Sequence, residues 1–163
     1  MKIGIISDTH NHRANVIKAI KVFNERKVSY VLHSGDMMSA SICGEFAAVY
    51  GAKFIGVFGN CDSERVLMRS TIESFGGEIY DPSYDGQIDD KRVFMTHRPD
   101  VLASVVESGK YDLVVYGHTH QQDIHRAGET LVVNPGRARS RLMGKGSVVI
   151  VELDDMSYEA VVL

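Results

Sequence analysis

The sequence predicts an α/β fold in which two β-sheets lie in contact and helices cover them from outside. Two observations predict it. The first half alternates β-branched apolar runs with helix-period segments, in the order βαβαβα, and after about residue 77 the texture changes to short strands joined by turn residues. At 163 residues, 44% hydrophobic and 24% charged, the chain is of a size for one domain, 1–163, with a substantial core.

Each element has its own signal. "KIGIIS" (2–7) is an apolar, β-branched run and reads as a buried strand. Asn11 or His12 can then open a helix, with Val16, Ile17, Ala19, Ile20 and Phe23 at helical spacing. "YVLHSGD" (30–36) is a second strand running into a Gly-Asp turn. "SASICGEFAAVY" (39–50) fits a second helix, with Gly51 just beyond its end. "KFIGVFGN" (53–60) is a third strand, and "SERVLMRSTIESF" (63–75) a third helix stopped by Gly76 and Gly77.

In the second half, "GEIYDPSYDGQIDDKRVFMTH" (77–97) reads as short strands with turns at Asp85-Gly86 and Asp89-Asp90. "RPDVLASVVESG" (98–109) reads as helix, and "YDLVVYGHTH" (111–120) as a strong apolar strand. Two hairpins finish the chain, one around Ala127-Gly128 and one around Asp154-Asp155.

The bulk composition narrows the function classes. A formal charge of -3 argues against bulk nucleic-acid binding, although a local basic patch is compatible with it. Two cysteines, Cys43 and Cys61, are too few for a disulfide framework. No segment reads as a secretion signal or a membrane span, so the expected setting is the cytoplasm, with no membrane partner.

Polar residues of one kind recur at the ends of the apolar strands. Asp8 and His10 follow the first, Asp36 the second, and Asn60 and Asp62 the third; His97 follows "RVFMT", and His118 and His120 follow "LVVYG". In open α/β sheets, ligands bind outside the carboxyl ends of the strands, so five strands offer these side chains at a common edge if their directions agree. Aspartate, imidazole and an amide oxygen, without cysteine, suit Mn, Fe, Co, Ni or Zn better than Ca²⁺ or Mg²⁺. Two such ions about 3.5–4 Å apart, bridged by one carboxylate, form the clamp used for in-line displacement at phosphorus. Set against Asp8, Asp36 and a hydroxide, two divalent ions leave roughly +1, which welcomes an anion.

In this order, "DTH" (8–10), "GD" (35–36), "GN" with Asp62 (59–62), "TH" (96–97) and "GHTH" (117–120) resemble the calcineurin-like metallophosphoesterase superfamily. Chain length, "GNCD" and "NPGR" (134–137) are most similar to its small YfcE-like phosphodiesterase branch. The resemblance spans essentially the whole chain. It implies a four-layer αββα sandwich: two mixed β-sheets face to face with helices outside, and a binuclear centre at one end. Carried over by motif, one metal would be held by Asp8, His10, Asp36 and His120. The other would be held by Asp36, Asn60, His97 and His118, with Asp36 bridging. The implied cofactors are two divalent transition-metal ions, manganese ahead of nickel, cobalt, iron or zinc. The implied nucleophile is a metal-bridging hydroxide, and the implied partner a small phosphodiester; a homo-oligomer is left open.

Two departures bear on catalysis. Many relatives place a His after the Asn, where it orients substrate or protonates the leaving group; here the residue is Cys61. A thiol of pKa about 8.5 can donate a proton but grips anions less well than imidazolium. Asp62 remains to orient the loop. The second departure is "THRP" (96–99) in place of a "THG" turn. Arg98 could contact a phosphate or point to solvent, while Pro99 starts the helix. Arg137, Arg139, Arg141 and Lys145 make a basic run that is either a solvated loop or a rim gripping phosphate, and Arg137 is its candidate contact.

Plainer readings stand beside these. His12, His33 and His125 read as helix start, strand end and hairpin surface, Cys43 as core, and Met37-Met38 as packing or pocket lining. The leading function is a metal-dependent phosphodiesterase. A phosphomonoesterase or nuclease on the same centre, or a metal-bound interaction scaffold without catalysis, are its rivals.

Overall fold

In the computed structural model, which describes residues 1–138 and 146–163, the first half forms strands that are each parallel to the next. They are β1 (Lys2–Ile6), β2 (Tyr30–His33), β3 (Lys53–Val57) and β4 (Glu78–Tyr80). The crossovers carry α1 (Arg13–Arg26), α2 (Ala40–Glu45) and α3 (Arg65–Ser74). The next strands are β5 (Ser83–Ile88), β6 (Lys91–Thr96), β7 (Leu113–Val115), β8 (Gln122–Ala127) and β9 (Thr130–Pro135), with α4 (Leu102–Glu107) between β6 and β7. They make a second sheet of order β5-β6-β7-β9-β8. The last hairpin, β10 (Ser147–Glu152) and β11 (Ser157–Val162), returns to pair antiparallel with β1. The first sheet therefore reads β11-β10-β1-β2-β3-β4. Both sheets mix parallel and antiparallel pairs.

Side-chain alternation distributes these strands among three apolar layers. Ile3, Ile5, Leu32, Ile55 and Val57 face the other sheet, where they meet Val93, Met95, Leu113, Val115 and Val133. Ile6, Val31 and Phe54 point the opposite way, onto Val16, Ala19, Ile20 and Phe23 of α1. On the far side, Phe94, Val114 and Val132 are covered by Leu102, Val105 and Val106 of α4. The result is the four-layer αββα sandwich. Truncating a wholly buried side chain such as Ile5 to Ala should cost about 2–5 kcal/mol.

Three local expectations need correction. Ile17 lies outside the α1 stripe and is 44% exposed, because Val16, Ala19, Ile20 and Phe23 already fill the inward face. Asp85-Gly86 is not a turn: it lies inside β5, whose pairing with β6 runs unbroken from Ser83 to Ile88. Pairing across six positions outweighs a local turn preference there, and the chain reverses at Asp89-Asp90 instead, with Asp89 at φ +55°. The strand in 111–120 is shorter than its apolar run, covering Leu113–Val115 alone, since the chain then turns toward the site. Gly51, at φ +72°, follows the second helix, which ends in a 3₁₀ turn over Phe46–Ala48. No helix among the described residues is long and apolar enough to cross a membrane.

Candidate metal centre

β1, β2 and β3 run parallel in one sheet, and β6 and β7 run parallel in the other. Their carboxyl ends meet at one end of the sandwich. Backbone bonds join neighbouring strand ends within each sheet: Asp8 N–H donates to Gly35 O at 3.0 Å, and Gly117 N–H to His97 O at 3.0 Å. His118 N–H donates to Asp8 Oδ2 at 3.1 Å, tying the two sheets together at the site.

The residues there hold an unusual backbone. Five of the seven expected ligands have positive φ without being glycine: Asp8 (52°), His10 (41°), Asp36 (59°), His118 (67°) and His120 (62°). Left-handed conformations cost of order 1–3 kcal/mol each in non-glycine residues and cluster at functional sites. Two glycines permit the close approach. A Cβ on Gly59 would land on the Asp36 carboxylate, and one on Gly117 would land on Ser7 Oγ and 2.8 Å from Asp8 Oδ2.

Four side chains converge. Asp8, His10, Asp36 and His120 each bring a ligand-type atom to within 4.8 Å of the others. His10 Nε2 lies 3.2 Å from His120 Nε2, and His120 Nε2 lies 3.2 Å from Asp8 Oδ1. Asp8 Oδ1 is buried and has no hydrogen-bond partner, whereas Oδ2 accepts from Ser7 Oγ at 2.6 Å. A buried carboxylate oxygen left without a donor is costly, unless a cation takes that place. Bonds of about 2.0–2.2 Å to one ion put neighbouring ligands about 3–3.5 Å apart, and the pairs here stand between 3.2 and 3.8 Å apart, His10–His120 and Asp8–His120 at the short end and His10–Asp36 at the long one. The donor set therefore fits a divalent metal.

A second group adjoins it. His97 Nδ1–H donates to the Ser34 carbonyl at 2.8 Å, which aims Nε2 at Asn60 Oδ1 (3.0 Å) and Asp36 Oδ2 (3.4 Å). The ring of His118 stands 5.1 Å from that of His97, edge to face. Fixing one imidazole nitrogen through a carbonyl is the usual support for a metal-ligating histidine.

The electrostatics follow the packing. Burial works to raise the pKa of Asp8, but His10, Ser7 and the charges of His97 and His120 outweigh it and hold the carboxyl below its ordinary range. Asp36 behaves the same way: His97 and the Cys61 N–H overcome burial and hold it far below. His97 is shifted up, since Asp36 and the Ser34 carbonyl outweigh its burial. Burial lowers His120, with Arg137 and His10 adding to it. Burial and the neighbouring Asp36 push the Cys61 thiol up.

The remaining expected residues fall in different places. Asp62 is buried and organises the loop: its carboxylate accepts from Asp36 N–H (3.0 Å), Met38 N–H (2.6 Å) and Gly59 N–H (2.7 Å). Cys61 is half-buried, receives a hydrogen bond from Asn60 Nδ2 at 3.3 Å and gives its N–H to Asp36 Oδ1 at 2.8 Å. Arg98 is exposed, and Pro99 opens a 3₁₀ turn, Pro99–Val101, ahead of α4. Arg137 is half-buried; Arg139, Arg141 and Lys145 lie outside the described residues. His12 caps α1, His125 pairs with Asp123, and Cys43 and Met37 are core.

Sequence reasoning missed two supports. His33 is wholly buried beneath the site; its Nδ1 accepts from Gly35 N–H (3.1 Å) and its Nε2 faces Thr9 Oγ1 (3.3 Å). Asn134 is wholly buried and donates to Gly117 O and Thr119 Oγ1, both at 3.0 Å, bracing the turn before His118 and His120. A polar residue inside an apolar run was the available signal for each.

Known proteins share this arrangement. Residues 1–156 match the model of the calcineurin-like phosphoesterase superfamily domain. Phosphodiesterase MJ0936 of Methanocaldococcus jannaschii is 38% identical over 166 residues, covering 100% of this chain and 99% of the relative. Phosphodiesterase YfcE of Escherichia coli is 25% identical over 154 residues, covering 83% of this chain and 78% of the relative. A solved archaeal phosphodiesterase superposes with a TM-score of 0.94 at 37% identity, each chain covered over 100% of its length. The chain belongs to the calcineurin-like phosphoesterase superfamily, a family of metallophosphoesterases.

Proposed function

We propose that this chain, acting as one domain over 1–163, is a binuclear metal-dependent phosphodiesterase of small phosphoesters. The observation that carries the reading is the position of Asp36 Oδ2, 3.8 Å from His10 Nε2 on one side and 3.4 Å from His97 Nε2 on the other. In this reading that one carboxylate oxygen would serve two donor sets. Asp8, His10 and His120 would complete the first, and Asn60, His97 and His118 the second.

Divalent ions held there, manganese in our reading, would supply Lewis acidity and an activated water for in-line displacement at phosphorus. The chain's own residues set the rest. Asp62 keeps the Asp36 and Asn60 loops in register through its three backbone hydrogen bonds. Arg137 and Arg98 stand as cations for the phosphoryl oxygens. Cys61 offers a thiol where an imidazolium would carry a positive charge, so it would be a weak proton donor and esters with good leaving groups are the easy substrates. Two free thiols fit a reducing compartment and support our reading of a cytoplasmic enzyme.

The test is hydrolysis of bis-p-nitrophenyl phosphate and p-nitrophenyl phosphate by metal-stripped protein, with Mn²⁺, Ni²⁺, Co²⁺, Zn²⁺ and Mg²⁺ restored separately. Diester hydrolysis that needs metal and disappears in Asp36→Ala supports the reading. Faster monoester hydrolysis would make the enzyme a phosphomonoesterase. Stoichiometric metal binding without turnover of either ester would overturn the assignment.

A further inference from the structure

A cavity of about 530 Å³ opens from Asn60 and His97 and runs away from the ligand cluster, between Asp81–Ser83 and the start of α4. Phe58, Pro82, Phe94, Val101 and Val105 line it, and most of its wall is apolar. Its size falls within the usual range for small-molecule sites. Phosphate itself has little use for such a wall, because an anion needs donors, and those stand at the metal cluster and at Arg98 on the cavity's exposed edge. An apolar group beside the phosphate does.

The walls are braced. Phe94 is buried, with its ring 5.4 Å from that of Tyr111. Arg65 lies over the Phe58 ring at 5.0 Å and donates to the carbonyls of Gly59 and Asp62, each at 3.2 Å, and to Asp81 Oδ2 at 2.6 Å. That guanidinium fastens the Asn60 loop to the opposite wall. With its charge matched by Asp81, it does not turn the cavity into an anion site.

We propose that this cavity binds an apolar aromatic ester arm of the phosphodiester, the arm that stays on phosphorus. This inference rests on the phosphodiesterase reading above. It assigns the arm as follows. The cavity shares Asn60 and His97 with the second donor set, so it flanks the metal centre. In an in-line displacement, water adds to phosphorus and the leaving P–O bond breaks on the opposite side, the departing oxygen taking up a proton. The cavity takes the arm that is retained, and the product is its monoester.

Two measurements test it. With Mn²⁺ present, titration calorimetry compares phenylphosphonate with methylphosphonate, which differ in the arm alone and are not hydrolysed. Hydrolysis compares phenyl p-nitrophenyl phosphate with methyl p-nitrophenyl phosphate, which share one leaving group. The wild type should prefer the phenyl compound by roughly tenfold or more in both, the scale expected from burying a ring. Val105→Trp, filling the cavity from a half-buried position, and Val101→Glu, placing a charge at a position that is 46% exposed, should each bring the ratio toward one. Circular dichroism identifies a variant that has failed to fold, and the other then decides. A wild-type ratio near one, or a ratio unmoved in a folded variant, overturns the assignment of the cavity. Binding preference without turnover of either ester would instead overturn the phosphodiesterase reading and leave the cavity as an aryl-phosphonate site.

Discussion

Asp62 and Asp36 are joined by a hydrogen bond in which the Asp36 backbone N–H donates to Asp62 Oδ2 at 3.0 Å. The same carboxylate also takes the N–H groups of Met38 and Gly59, so one side chain orders both loops that present Asp36 and Asn60. Asp62→Ala should leave these buried donors unpaired. We expect a loss of about 2–4 kcal/mol in urea denaturation and a fall of about 10–100-fold in metal affinity, measured by competition with a chromophoric chelator. Unchanged affinity would show that the loops hold their places without it.

In the proposed centre Asp36 would serve both donor sets, with Oδ2 3.8 Å from His10 Nε2 and 3.4 Å from His97 Nε2. Asp36→Asn should reduce bound metal below two ions per chain by elemental analysis and cut diester hydrolysis by at least about 100-fold, beyond what loss of a supporting residue costs. In the wild type, chelation with EDTA should lower the melting temperature. A ligand at 100 times its Kd contributes about 2.7 kcal/mol to the folded state. A variant that keeps two ions and full activity would remove Asp36 from the bridge.

Cys61 stands where many relatives carry a histidine. Its thiol is pushed up by burial and the carboxylates around it, so its contribution as an acid should be small. Cys61→Ser should change hydrolysis of bis-p-nitrophenyl phosphate by no more than about threefold, whereas general acids usually contribute about 10²–10⁴-fold. Cys61→His should speed alkyl esters more than nitrophenyl esters, because only the poor leaving groups need the proton. A large loss in Cys61→Ser would give the thiol a direct part in the reaction.

His33 should make stability depend on pH in a definite direction. Burial holds it neutral, with its pKa pushed down to about 3, against about 6.5 for a free imidazole. Between those values the unfolded chain binds a proton that the folded chain refuses. Its contribution is therefore complete above about pH 6.5 and is lost as the pH falls toward 3, by up to about 1.4 kcal/mol per pH unit. Urea denaturation of metal-free protein between about pH 7 and pH 5 should show this slope, and His33→Gln should flatten it. Equal slopes in both proteins would mean that His33 takes up its proton in the fold as readily as in the unfolded chain.

The sequence by itself determined the layer plan and named the four side chains that converge, Asp8, His10, Asp36 and His120. Apolar runs of strand length, helix periods between them and polar residues at the strand ends are local patterns, and each follows from what its own residues can bury or must leave in contact with water. Asp8, His10, Asp36 and His120 could be named because each ends its apolar segment with a side chain too costly to spend on a turn. The tertiary structure alone decided how they meet. Asp8 and His118 are 110 residues apart, and their hydrogen bond exists because the two sheets stack with their carboxyl ends together. The same stacking decided that Asp85-Gly86 stays in a strand, that His33 lies buried under the site, and that Phe58 and Phe94 line one cavity. Such features depend on pairing and burial between distant segments, and no window of sequence contains both partners.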